Sequence, residues 1–346
     1  MRDITQVTEQ ELKEKLDIKE KYRIKQITDW LWKKNPQSFD DFSNLPKSII
    51  AKLKEKYYIP QLDIIDIQKS KDGTQKIAFS LTDKKVIEGV LIPAGNRVTA
   101  CISSQVGCNV GCKFCATGKL GFVRNLSTGE IVFQVKKLNK LSFETYGHHL
   151  TNIVFMGMGE PLLNYQNVIR ASNILTTQEG LAMSPRRITL STVGITDKII
   201  QLANQKVKFN LAVSLHSAND IIRTHLVPVN KQHDLKKLRN AISYFAKSTN
   251  NRVTIEYLLL KDVNDKIEDA KALAEFCKAF PCKINLIEYN PVEGIPYKKP
   301  DAKTAEMFKI FLETKHLIVN IRRSRGADID AACGQLAAKN ISHKKL

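Results

Sequence analysis

"CISSQVGCNVGCKFCATG", residues 101–118, carries four of the seven cysteines in this 346-residue chain. Three of them, Cys108, Cys112 and Cys115, are spaced C-x3-C-x2-C, and the fourth, Cys101, stands seven residues upstream. In a reducing compartment, thiols clustered this tightly point to metal or redox chemistry rather than to structural disulfides. Three thiolates can hold three irons of a cubane [4Fe-4S] cluster, which leaves the fourth iron open to a small molecule. A structural zinc ion wants four ligands, and the nearest histidines, His148 and His149, lie outside finger-like spacing. A three-cysteine zinc site completed by a distant histidine stays open as the alternative. Gly107 and Gly111 keep bulk away from the thiols.

From about residue 98 onward, strand-like and helix-like segments alternate. The strand candidates are "VTACISS", "NIVFMGM", "ITLSTVG", "FNLAVSLHS", "RVTIEYLLL" and "KINLIEYN". Helical stretches such as "STGEIVFQVKKLNKL" and "DLKKLRNAISYFAKS" fall between them, the first opening with Ser127 and Glu130 in a capping-box pattern. Six βα units predict an α/β fold built on a parallel sheet, a partial barrel. Functional residues then gather at the carboxyl ends of strands. The cysteine loop, "GMGEP", "STVG", "SLHS" and "EYNP" all fall at such ends.

Upstream, residues 62–104 read as short β runs separated by "KDG", "DK" and "AGN", which predicts hairpins leading into the barrel. Gly73 and Gly95 sit where tight turns want them. Residues 8–58 read as basic helices. "YRIKQITDWLWKK" puts Ile24, Ile27, Trp30 and Leu31 on one face, and Ser43 or Asn44 is the expected cap of a helix with Pro46 in its first turn. This small module either grips a partner or packs as a lid. The division expected is 1–60 for the helical accessory domain, 61–97 for the hairpin region and 98–340 for the catalytic domain.

No run approaches the ~18–20 apolar residues of a membrane helix, and "MRDITQVTEQELKEK" is too polar for a signal peptide. A cytoplasmic protein with no membrane partner is expected. Net charge is +19, from 54 Lys and Arg against 35 Asp and Glu, which suits a polyanion and above all nucleic acid. Aromatic residues make up only 7%, which argues against a dedicated stacking platform for single strands. Residues 298–346 carry eleven Lys and Arg against five Asp and Glu, with Arg322, Arg323 and Arg325 close to Cys333; phosphate contacts are expected there. Cys277, in register with Ala270, Leu273 and Ala274, reads as a core residue of a helix, and Cys282 reads likewise.

The C-x3-C-x2-C motif resembles the signature of the radical S-adenosylmethionine (SAM) superfamily, and "MGMGEP" (156–161) resembles its segment that contacts the SAM amino group. "RRITLSTVGI", "VSLHS", "VTIEYLLL" and "IDAACGQLA" extend the likeness across roughly residues 20–340. Together they resemble the RlmN/Cfr adenine methyltransferases.

That resemblance implies a radical SAM barrel with a [4Fe-4S] cluster on Cys108, Cys112 and Cys115, and two SAM molecules per turnover. It implies that Cys333 accepts a methyl group from one SAM and passes it, as a carbon radical, to an adenine ring. Cys101 then assists release through a transient disulfide with Cys333, and Glu88 acts as proton acceptor. Gly159, Glu160, Ser191, Ser214, Leu215, His216 and Asn290 match SAM contacts. The implied partners are 23S rRNA, tRNA and a reducing donor such as flavodoxin or ferredoxin. Methylation at adenine C2 of 23S rRNA and of tRNA adenosine 37 is the leading expectation. A C8-directed enzyme of the antibiotic-resistance branch is the runner-up, and Pro161 after Glu160 speaks against it because that branch carries alanine there. A non-catalytic zinc protein that binds RNA is the third reading.

Overall fold

The computed structural model describes residues 1–337; the end of the expected catalytic domain and part of the basic C-terminal stretch lie outside them. Among the described residues a ten-stranded sheet organises the chain. Four antiparallel strands, Leu62–Lys69, Gln75–Leu81, Val86–Ala94 and Arg97–Cys101, form a meander at one end. The last of them pairs in parallel with Asn152–Phe155. Parallel pairing then continues through Ile188–Thr192, Asn210–Ser214, Val253–Leu259, Cys282–Glu288 and Ile318–Arg322. The strands Leu62–Lys69 and Ile318–Arg322 are the two open edges, so the barrel is partial.

The six expected strands are all present, and the hairpin strands join their sheet. The strand Ile318–Arg322 is an addition to them. It alternates exposed and buried residues and runs into three arginines, so it lacks the continuous apolar run of a central strand. By contrast, every residue of Val253–Leu259 is buried.

Helices return between the parallel strands. Thr128–Tyr146 opens with the expected capping box: Ser127 Oγ accepts from Glu130 N, and the Glu130 carboxylate accepts from Ser127 N. Cys277 is buried on the helix Ile267–Cys277 beside Ala270, Leu273 and Ala274, and Cys282 opens the next strand, also buried.

The N-terminal residues form helices Glu9–Leu16, Lys21–Asp29 and Lys47–Lys56, tied by a short parallel pairing of Arg2–Asp3 with Tyr57–Tyr58. Ile24, Ile27 and Leu31 are buried, and Trp30 stacks on Phe42 at 5.3 Å. The expected cap is corrected. Pro46 itself occupies the cap position of Lys47–Lys56 with no side-chain bond, and Asn44 instead accepts from the Trp30 indole N–H at 2.7 Å. This module docks on the barrel through Thr5, whose hydroxyl accepts from Gly129 N at 3.0 Å. A Cβ on Gly129 would lie 2.4 Å from Thr5, so only glycine permits the approach.

Candidate active site

The carboxyl ends of the parallel strands open into one cavity. The cysteine loop forms one wall, braced by a small hairpin of Gln105–Gly107 with Phe122–Asn125. Gly107 has φ +74, and a Cβ there would meet the Gly121 carbonyl at 1.9 Å. Cys108 N donates to that same carbonyl, and Lys113 N donates to Leu226 O. Cys108, Cys112 and Cys115 all face the cavity.

Burial pushes the Cys108 thiol up to about 12, holds Cys112 well above the ordinary thiol range and raises Cys115 as well. Three buried thiolates therefore need cationic metal to exist together. Among the described residues, no three His, Cys, Asp or Glu side chains converge to hold a single metal ion. Three thiolates, each able to ligate one iron, are the donor set that a cubane iron–sulfur cluster takes. His148 and His149, the histidines nearest in sequence, do not line the cavity.

The adjoining wall is the segment that carries Cys333. Ala116 N donates to Gly334 O at 2.7 Å, and the Thr117 hydroxyl donates to Leu336 O at 2.6 Å. Asn290 Nδ2 donates to Cys333 O at 3.4 Å, and Gln335 Nε2 donates to Pro291 O at 3.0 Å. The first two bonds pin residue 333 against a loop more than two hundred positions earlier in the chain, and the other two tie it to the residues that follow the strand Cys282–Glu288. Cys333 is exposed to the solvent of the cavity, while the protein around it disfavours its thiolate. Cys101, at the end of its strand, is buried and lines the same cavity; burial holds its thiol far above the ordinary range.

Gly159 takes φ +100, and a Cβ there would stand 2.6 Å from the Gln105 side chain. That turn aims Glu160, which is 3% exposed, into the cavity. Its Oε1 accepts from Leu162 N at 2.9 Å and its Oε2 from Val193 N at 2.8 Å. Burial outweighs these bonds and raises the carboxyl to about 7. Ser191, Ser214 and Asn290 also line the cavity.

His216 sits in left-handed backbone at φ +59, with its ring edge-on to Phe114 at 4.8 Å. Its Nδ1 accepts from Leu258 N at 3.1 Å, and burial, with Arg223 nearby, drives its pKa down to about 3. The ring is therefore neutral and carries its proton on Nε2.

Two expected residues stand apart from the lining. Leu215 is fully buried; its backbone accepts from Arg223 Nε and donates to Glu256 O. Glu88 is buried behind the wall, where its Oε2 accepts from Ala337 N at 2.9 Å and Lys76 Nζ lies 3.8 Å from its Oε1. Arg322, Arg323 and Arg325 all line the cavity; Arg322 lies 3.8 Å from Glu256 and Arg325 4.0 Å from Asp72, while the Asp328 carboxylate accepts from Ser70 Oγ and Lys71 N.

Sequence reasoning misses Glu256, Arg223 and Gln105. Glu256 is legible only as an acid interrupting an apolar strand. Arg223, fully buried, donates to the carbonyls of Leu215 and Val193 and to Asn230.

A partial parallel barrel with three thiols, a buried glutamate after a glycine turn and a polar set at its strand ends defines a radical SAM enzyme. Residues 102–277 match the family model for the radical SAM superfamily, and residues 2–59 match the ribosomal RNA large subunit methyltransferase N-terminal domain. A Cytophaga hutchinsonii protein described as a probable dual-specificity RNA methyltransferase RlmN is 49% identical, over 92% of this chain and 88% of its own length. The dual-specificity RNA methyltransferase RlmN of Nautilia profundicola is 42% identical over 94% and 95%. The crystal structure of a radical SAM methyltransferase from Sphaerobacter thermophilus superposes with a TM-score of 0.89 at 39% identity, covering 98% of this chain and 100% of that one. The chain belongs to the RlmN family of SAM-dependent RNA methyltransferases.

Proposed function

We propose that this chain methylates carbon 2 of an adenosine in 23S rRNA, near the peptidyl transferase centre, and of adenosine 37 in tRNAs. The observation that carries this reading is the placement of Cys333 and Cys101 in the same cavity as the three cluster thiols. Cys108, Cys112 and Cys115 would hold the [4Fe-4S] cluster. Glu160, Ser191, Ser214, His216 and Asn290 would hold SAM, with Gly159 and Leu215 shaping the strand ends around it. The cluster, when bound, supplies the electron that cleaves SAM to an adenosyl radical.

The remaining work falls to the chain. An adenine C–H carbon is a poor nucleophile, so methyl transfer needs a carrier. The exposed Cys333 thiol is that carrier, held in reach by its bonds to Ala116 and Thr117. Buried Cys101 resolves the covalent RNA–Cys333 adduct by forming a disulfide with Cys333, which needs reduction between turnovers. Glu88 acts as proton acceptor once its contact with Ala337 opens. A small reducing protein such as flavodoxin or ferredoxin would supply electrons, and the +19 charge suits both RNAs. The target base must be unstacked to reach the cavity. Among the described residues no helix is long and apolar enough to cross a membrane, and we place the enzyme in the cytoplasm with its RNAs.

Nucleoside mass spectrometry of 23S rRNA and tRNA after anaerobic reaction tests this. 2-Methyladenosine in both RNAs is expected. 8-Methyladenosine would move the chain to the other branch, and no methylated adenosine despite SAM cleavage would refute the substrate.

A further inference from the structure

Glu256 stands mid-strand in Val253–Leu259 and is 3% exposed. Ser214 is its register neighbour on one side and Asn285 on the other. Side chains in register on parallel strands share a face, so the three form a polar row across the sheet, with Ser214 and Glu256 lining the cavity. One carboxylate oxygen is engaged: Oε1 accepts from Asn285 Nδ2 at 2.8 Å and lies 3.8 Å from Arg322 Nη1. The other, Oε2, is shut away from solvent and has no hydrogen-bond partner among the described residues. An unsatisfied buried carboxylate oxygen is costly, and in a native fold it marks a missing partner. A purely structural role would be filled by a neutral side chain at less cost.

We propose that Glu256 is a ligand-binding residue whose Oε2 accepts a hydrogen bond from an amino or hydroxyl donor of the molecule bound between Ser214 and Cys333. The inference rests on the function proposed above, which offers two sources of that donor: the hydroxyl and amino groups of SAM, or the exocyclic amine of the target adenine. Arg322 and Asn285 fix the carboxylate's first oxygen and so leave the second for the ligand. Burial raises the carboxyl's pKa, and the Arg322 guanidinium draws it back down.

Glu256→Gln is an informative change because Asn285 would keep the amide oxygen in place. The amide N–H2 would then stand where Oε2 stands, turning an acceptor into a donor. Wild type and E256Q are reconstituted anaerobically and matched for iron content and melting temperature. Calorimetry measures SAM affinity. Anisotropy measures affinity for an anticodon stem-loop bearing adenosine or purine riboside at the target position, the latter lacking the amine.

We expect a roughly ten- to hundredfold loss for E256Q in one arm. Loss for SAM alone assigns the donor to SAM. Loss for the adenosine RNA, down to the level of the purine RNA, assigns it to the base. Loss in both places the oxygen where the two molecules meet. Glu256→Asp, which keeps the charge and shortens the reach, should fall in between. Unchanged affinities in both arms, with or without a lowered melting temperature, overturn the proposal. Wild-type protein that binds neither SAM nor RNA overturns the function beneath it as well.

Discussion

Ala337 donates its backbone N–H to Glu88 Oε2 at 2.9 Å, across 249 positions of sequence. The bond ties the segment that follows Cys333 to the antiparallel strand Val86–Ala94. The same carboxylate lies 3.8 Å from Lys76, and both side chains are at most 6% exposed. Glu88 is thus an anchor of the Cys333 wall before it is anything else. Glu88→Ala should strand the buried Lys76 ammonium and destabilise the fold by about 3 kcal/mol, measured by denaturant unfolding. Adding Lys76→Met should restore most of that stability. If Glu88 also accepts a proton, methylation will stay low in the restored double variant; full activity there would limit Glu88 to anchoring.

Cys333 and Cys101 should separate by what each variant traps. Cys333→Ala should give neither methylated RNA nor a covalent protein–RNA species on denaturing gels. Cys101→Ala should accumulate that species, because addition proceeds and release does not. Normal turnover by Cys101→Ala would remove Cys101 from the release step.

Glu160 sets a pH dependence on SAM affinity. Burial raises its carboxyl to about 7 in the free protein, so below that pH the group is increasingly protonated. A ligand ammonium binds the ionised form. Affinity should therefore fall up to about tenfold per pH unit below 7 and level off above it. Glu160→Gln should bind weakly with no such slope, as read by calorimetry across pH 5.5–8.5.

His216 should take no part in that titration. With its pKa driven down to about 3 and Nδ1 occupied by Leu258 N–H, it stays a neutral Nε2–H tautomer throughout that range. Nitrogen NMR of labelled histidine should show one unshifted tautomer for His216 from pH 8 to 5. A protonation step in that window would mean that its surroundings are more polar than the packing with Phe114 implies.

Gly159→Ala tests the turn itself. At φ +100, with Gln105 2.6 Å from the added carbon, the change should cost roughly 2 to 4 kcal/mol and displace Glu160. SAM affinity should fall with it. Gly111→Ala, where a Cβ meets nothing within 4 Å, is the control for position within the site, although its own φ of +69 adds strain.

The parts of this protein that are legible in its sequence are local. The thiol spacing, the Ser127–Glu130 capping box and the six strand runs each depend on residues a few positions apart, and their periodicity survives in the sequence. The edge strand Ile318–Arg322 is not legible because an exposed strand needs no continuous apolar run. The cap of Lys47–Lys56 escapes a local reading because Asn44 is claimed by Trp30, a partner fourteen residues away that local pattern does not show.

The candidate groups can be read from the residues alone: three thiols at C-x3-C-x2-C spacing, two further cysteines at Cys101 and Cys333, and an acid after a glycine turn. Only the tertiary structure decided which of them meet. It brings Cys333 to the cysteine loop through Ala116 and Thr117, sets Glu88 behind the wall, and leaves one oxygen of Glu256, a residue of the cavity lining, without a partner among the described residues. The physical reason is that spacing along a chain fixes which groups are available. Desolvation and hydrogen-bond satisfaction, which decide where each group can stand, depend on neighbours supplied from hundreds of residues away.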